Sequence, residues 1–282
     1  MSSTGRHAAA DAQTQLMADT FGTMIDEYRS NVEKLSTLAI DITKESISRT
    51  GHLLLLDPAA EQEATFQNVL IAAQAGTAYF KAADTDEDTI DATVGTPVAM
   101  ARFAPQAAGV KIADWLDSLW AAVICRGLTL VSDLIRVPNE TIRAGGATFD
   151  DYMYAWADAL RAFFYRDDDV FERINRSIEL TDPDTLQNAS PEIALQRHYP
   201  AMKLLFNIAA NRPEQFNSDL QEAVDLHRVF WTANAERASD PTGFFALAPT
   251  ALAALAHDRG FPIEVQSDYL PRNFIEPTWL SR

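Results

Sequence analysis

Sulfur chemistry is nearly absent from this chain. Cys125 is its only cysteine, which excludes a disulfide framework and a thiol-rich metal site. It falls in the most apolar stretch of the sequence, where a thiol behaves as a small hydrophobe. Basic charge is scarce too: 23 Lys and Arg stand against 40 Asp and Glu, for a formal net charge of −17. Such a field opposes nucleic-acid binding, which relies on cations neutralising phosphates. It favours encounter with a basic protein instead. The longest uncharged apolar run, residues 241–256, contains two prolines and falls short of the ~20 residues a membrane span needs. The first seventeen residues lack the apolar core of a secretory signal. A reduced, cytoplasmic setting with no membrane partner is the expectation.

Catalytic signatures are missing as well. No G-x-S-x-G elbow and no Gly-rich phosphate loop occur, and no E-x-x-H or paired Cys/His spacing accompanies His198, His227 or His257. This pattern reads as a protein with no enzymatic activity, no metal and no cofactor. Residues 84–88 place Asp84, Asp86 and Asp88 at the first, third and fifth positions of a calcium loop. However, Thr89 stands where that loop needs Gly, and Gly95 where it needs Glu. A solvated acidic turn is the better reading.

What the chain does have is helical periodicity. Met17, Phe21, Met24, Tyr28, Val32, Leu35, Leu38 and Ile42 recur every three or four residues, predicting one long helix over residues 11–50 ended by Gly51. Asp57 and Pro58 supply an N-cap and first-turn proline for a second helix reaching Lys81. Residues 109–137 are the most apolar segment. Ile112, Trp115, Leu116, Leu119, Ala122, Val123 and Arg126 share one helical face, with Asp114, Asp117 and Ser118 opposite. Trp115 and Trp120 mark this as the middle of the fold. Arg126 on an apolar face must be paired or must snorkel to water.

Further helices are expected from Thr148 to Tyr165, over 167–180 with Asp167, Asp168 and Asp169 in its first turn, over 190–211, from Pro213 to about 238, and from Pro249 to Asp258 with Gly260 as the C′ residue. The one period-2 stretch, around Val94-Gly95-Thr96, predicts a small β-hairpin with Pro97 on an edge. The fold class is therefore mainly all-α: a compact array of antiparallel helix pairs, one hairpin insertion and an extended C-terminal tail.

The tail carries the most specific pattern. Asp258, Arg259 and Gly260 end an apolar helix, Phe261, Pro262, Ile263, Glu264 and Val265 continue it, and Ser267, Tyr269, Leu270, Pro271 and Arg272 close it. This block resembles the C-terminal signature of the immunity protein 49 family. Residues 115–126 and 149–160 resemble two further blocks of that family, and AAQAGTAYF before the hairpin fits the same order. The resemblance covers most of the chain beyond about residue 65. It implies a single immunity-type helical domain over 1–282, with 1–60 as a long N-terminal helix region ahead of a family-like body at 61–282.

It also implies a bacterial immunity protein that binds and neutralises a cognate polymorphic toxin. The acid surplus suits a basic nuclease as that toxin. Asp84, Asp86, Glu87, Asp88, Asp167, Asp168 and Asp169 are the candidate toxin-interface residues. Trp115, Trp120, Arg126, Asp258, Arg259, Gly260, Tyr269 and Pro271 are assigned structural roles. The alternative is a helical-repeat adaptor binding another protein partner, which the same helix pairs and acidity would serve.

Overall fold

A computed structural model describes residues 4–276. Helices α1 (Thr14–Asn31), α2 (Leu38–Leu56) and α3 (Glu63–Ala83) lead into a hairpin of β1 (Thr89–Val94) and β2 (Thr96–Ala101). Then follow α4 (Pro105–Ala108), α5 (Ile112–Ile124), α6 (Leu128–Arg136), α7 (Asn139–Arg143), α8 (Asp151–Tyr165) and α9 (Val170–Glu179). A π-helical segment (Ile193–His198) runs directly into α10 (Tyr199–Ala209). The chain closes with α11 (Pro213–Trp231), α12 (Ala235–Ser239), a 3-10 turn (Pro241–Phe244), α13 (Leu247–Asp258) and α14 (Arg272–Ile275). The hairpin is the only sheet among the described residues, paired antiparallel with Val94 opposite Thr96. Ile90, Val94 and Met100 turn inward from it, as period-2 alternation requires.

The long N-terminal helix expected over 11–50 is two helices. Residues 32–37 form turns, entered by Val32 at φ −62° and ψ −30° and left by Thr37 at φ −65° and ψ −19°. The apolar spacing at Val32, Leu35 and Leu38 runs across this break unmarked. The two helices fold back on one another, with Arg49 Nε donating to the Ala18 carbonyl at 3.1 Å. Gly51 does not end α2 but lies inside it. A Cβ there would sit 2.0 Å from the Pro241 carbonyl oxygen, so this glycine is a point of backbone contact with the 3-10 turn. Asp57 is likewise not the N-cap of α3. It ends α2, and its carboxylate accepts from the Glu61 and Gln62 amides at 2.8 and 2.9 Å and from Thr65 Oγ1 at 2.8 Å. It still satisfies donors that would otherwise be orphaned where α3 starts.

Helix α5 lies between α3 and α13 and also touches α6 and α8. Trp115, Leu119, Ala121 and Ala122 have no exposed surface. Burying a side chain of leucine size contributes roughly 1.5–3 kcal/mol, so this helix anchors much of the core. Trp115 Nε1 donates to the Leu134 carbonyl at 2.9 Å, tying α5 to α6. The face expected to be polar is not solvated. Ser118 is fully buried, and a Cβ on Gly76 would lie 2.1 Å from its Oγ. The missing side chain lets α3 and α5 approach.

Other boundaries shift. Helix α8 is preceded by Asp150 as N-cap instead of Thr148. Helix α9 starts at Val170 with Asp169 as N-cap, so Asp167 and Asp168 precede it. The helix expected from Pro213 to 238 divides at residues 232–234 into α11 and α12. Helix α13 ends on Gly260, at φ 85°, with the Phe261 amide donating back to the Ala256 carbonyl at 3.0 Å. Past it the tail runs without regular structure to the single turn of α14, and residues 277–282 of the expected extended tail lie outside the described residues. At the other end Thr4 bridges Ser267, Arg6 donates to the Leu54 and Asp268 carbonyls, and the His7 amide donates to the Tyr269 hydroxyl at 3.0 Å.

Candidate functional site

Three places have side-chain arrangements that go beyond ordinary packing. The first is the acidic surface. In the turn after α3, Asp84 accepts from the Thr141 hydroxyl and Asp88 pairs with Arg102 at 3.6 Å. Asp86 and Glu87 are exposed and form no ion pair among the described residues. Asp167 and Asp168 are also exposed and unpaired there, while Asp169 is held by Arg173 at 2.8 Å. Of the seven candidate interface residues, these four present unclaimed charge. Close by, Asp133 binds Lys81 at 3.1 Å and Arg136 at 3.6 Å, so that neighbouring acid is neutralised.

The second place is the tail junction. Helix α5 ends at Ile124, and Arg126 follows with a left-handed φ of 53°. Arg126 is therefore not on the helix face that periodicity assigns to it. The backbone reversal turns its guanidinium toward the tail, where it donates to the Phe274 and Ile275 carbonyls and to Ile124 at 2.9 Å. Arg126 Nε also pairs with Asp258 at 3.0 Å. Arg259 lies over the Phe163 ring at 4.3 Å. Tyr269 is fully buried, its hydroxyl 2.7 Å from His7 Nδ1 and its carbonyl accepting from the Ala246 amide at 2.9 Å. Pro271 caps α14. Each guanidinium nitrogen of Arg126 faces an acceptor.

The third place is a crevice of about 510 Å³ enclosed by α5, α8, the π-helical segment, α11 and the chain leading into α13. Its walls include Trp120 and Trp156, whose ring centroids are 6.1 Å apart, together with Tyr152 and Trp231. The π-helical segment has a local cause. Pro200 has no amide to offer the Gln196 carbonyl, and its ring would crowd that carbonyl in a regular helix. The turns widen instead, and the Tyr199 amide bonds the Ala194 carbonyl five residues back. This brings Gln196, Arg197 and His198 to the crevice.

Polar groups here are left wanting. Asp117 accepts no hydrogen bond and forms no ion pair among the described residues. Burial raises its carboxyl to about 6, moderated by Arg197 and Lys44 and reinforced by Asp114. His198 is 5.7 Å from the Tyr152 ring and is lowered to about 3, first by burial and then by Arg197. His227 is lowered to about 3, chiefly by burial. Its Nε2 is 2.9 Å from the Gly243 carbonyl, so the neutral ring keeps its proton there and Nδ1 is left as an acceptor. Trp231 Nε1–H is buried without an acceptor. Arg197 is exposed at the margin, its guanidinium 5.2 Å from the Trp231 ring and 5.3 Å from that of Phe230.

Sequence pattern puts Asp117 on the face opposite the apolar one and finds no metal or catalytic spacing around His198 or His227. Only Pro200 inside a helical stretch hinted at the crevice. Cys125 is buried and its thiol is pushed up to about 12 by burial, which removes it as a nucleophile. Among the described residues no group of three or more His, Cys, Asp or Glu is arranged to hold a metal, and no helix is long and apolar enough to cross a membrane.

No curated protein and no solved structure matches the chain. A family model does: that of immunity protein 49, over residues 57–274. The match takes in α3, the hairpin, α5 with its tryptophans, all of the crevice lining but Ile47, and Arg126 with Asp258. The chain belongs to the immunity protein 49 family.

Proposed function

We propose that this protein is the immunity partner of a bacterial toxin, binding a cognate toxin domain in the cytoplasm and neutralising it. The observation that carries this reading is the family match over residues 57–274. The net charge of −17 supports a basic toxin, and a nuclease is the toxin chemistry that most often requires a basic surface. Asp86, Glu87, Asp167 and Asp168, the exposed and unpaired acids, are the steering groups in this reading. Exposed charges act mainly on association, and buried anchors on dissociation.

The test is the protein encoded beside this gene. Co-expression of this chain should rescue cells from that protein's toxic domain, and the purified pair should associate quickly at low salt and more slowly as salt rises. Failure of the two to bind would reject the immunity reading. Binding that is slow and indifferent to salt would keep immunity and reject steering.

A further inference from the structure

We propose that the crevice around Asp117 is a receptor for an organic cation, an ammonium or guanidinium group. The assignment stands on the crevice's own chemistry and does not depend on the toxin reading.

The fully buried aspartates described in this chain are saturated. Asp150 accepts from the amides of Gln187, Asn188 and Ala189. Asp57 accepts from two amides and a hydroxyl. Asp219 holds Lys203 at 3.0 Å and Asn207 at 2.7 Å. Asp117, part-buried on α5, has no partner among the described residues, and a carboxylate drawn even partly out of water without one is costly. Its position is not sterically starved of partners either, because open space lies in front of it. A cation entering that space would supply what the fold withholds.

The rest of the lining fits the same ligand. Trp120, Trp156 and Tyr152 offer aromatic faces, which attract cations and most strongly so when desolvated. His227 Nδ1 and the Tyr152 hydroxyl can accept hydrogen bonds from ammonium or guanidinium N–H groups. Both crevice histidines are neutral, so neither repels a positive charge. The charged groups acting on Asp117 are Asp114 on its own helix, Lys44 on α2 and Arg197 on the π-helical segment, and Asp150 and Asp240 also line the crevice. Among the described residues Arg197 is the one Arg or Lys at the crevice margin, and it is turned over the Phe230 and Trp231 rings without pairing to Asp117. The volume suits a side-chain-sized or metabolite-sized guest, within the range of ordinary small-ligand pockets.

The cation has two conceivable sources, a free small molecule or a Lys or Arg side chain of a bound protein. The experiment separates them. The full chain is titrated calorimetrically at constant ionic strength with n-butylammonium, with n-butylguanidinium and with n-butanol as the uncharged isostere. The cations should bind at least about tenfold tighter than the alcohol, and their affinity should rise as pH passes about 6 and Asp117 ionises. Asp117→Asn should abolish the preference for charge, Asp86→Asn should leave it intact, and Arg197→Gln should strengthen cation binding. Melting curves of all three variants establish that they are folded. Equal binding of cations and alcohol, no binding of either cation, or an undiminished preference in Asp117→Asn would each overturn the proposal.

The second arm measures Asp117→Asn against the neighbouring toxin domain. Lost affinity assigns the cation to a toxin side chain, and retained affinity assigns it to a free small molecule. Failure of that toxin to bind the unaltered protein would reject the immunity reading while leaving the calorimetric result standing.

Discussion

Two places in this molecule take charge out of water, and they do it in opposite ways. At the tail junction Arg126 meets a carboxylate and several carbonyls, and the chain on both sides is held by them. In the crevice, among the described residues, Asp117 meets no donor, Trp231 Nε1–H meets no acceptor, and the recorded contact of the His198 ring is with that of Tyr152. A saturated node is what a fold builds to hold itself together. An unsaturated one that persists beside it weakens the fold, and is intelligible if something else completes it.

The comparison breaks most sharply at Arg126. Asp258 is more than a third exposed, so the ion pair itself is screened. Arg126→Ala also strips the Ile124, Phe274 and Ile275 carbonyls of their donor, however, and should cost about 2–3 kcal/mol in denaturant unfolding. Arg126→Lys should recover only part of it, because a single ammonium cannot reach the fork of acceptors. A variant that unfolds like the unaltered protein would place the junction on a par with the surface.

Asp150 gives the next effect. Burial opposes its ionisation, but the amides of Gln187, Ala189 and Asn188 overcome this and hold its carboxyl below the ordinary value. Asp150→Ala should cost about 2–3 kcal/mol, the worth of charge-assisted bonds lost with the donors left behind. A depressed acid contributes stability that is present above its unfolded pKa and lost as pH falls through the folded one. The variant should therefore lose part of the acid-unfolding slope below about pH 4, which unfolding curves at a series of pH values would show.

Asp117 should behave in the reverse sense. Its folded pKa of about 6 lies above the ordinary carboxylate value of 3.8, so the native state binds more protons than the unfolded state between those values. Stability contributed by this group is full below that window and falls as pH rises through it. At neutral pH, Asp117→Asn should be neutral or should stabilise by about 1 kcal/mol, with the downward slope between pH 4 and 6 flattened. A marked loss of stability in the variant would mean that Asp117 serves the fold after all.

The smallest stability change belongs to the surface. Asp86→Asn, Glu87→Gln, Asp167→Asn and Asp168→Asn together should stay within about 0.5 kcal/mol each, since none of these groups is paired. Their effect should appear in stopped-flow association with the toxin as a slower rate and a flatter dependence on salt.

Much of this architecture was legible in the residues. Apolar spacing located α5 and α13, alternation around Val94 and Thr96 located the hairpin, and the Asp258–Gly260 step with its following aromatic and proline located the end of α13. The family pattern lay in the same tail. What escaped reading depended on backbone states that carry no mark in side-chain rhythm. Residues 32–37 turn while apolar residues keep their spacing at Val32, Leu35 and Leu38, so the stripe from Met17 to Ile42 looks unbroken. Arg126 adopts a left-handed conformation, which moves it off the face its number implies. The crevice was hidden for another reason. Asp117, Tyr152, His198 and His227 lie on four separate elements, and nothing in the local sequence of any one of them records that the others surround it.

The bridge between Thr4 and Ser267 also sets an order of events during synthesis. Helices α1, α2 and α3 can pair as soon as they emerge, because their contacts are between near neighbours in sequence. Thr4, Arg6 and His7 cannot complete their docking until residues 267–269 have been made, since Ser267, Asp268 and Tyr269 provide partners beyond those that Leu54, Gln221 and Asp225 offer earlier. The nascent protein therefore carries a waiting N-terminal segment through nearly the whole of translation. Its closure is a long-range contact of the kind that forms late, and it reports completion of the tail: a chain stalled before residue 267 would keep that segment loose and open to proteases.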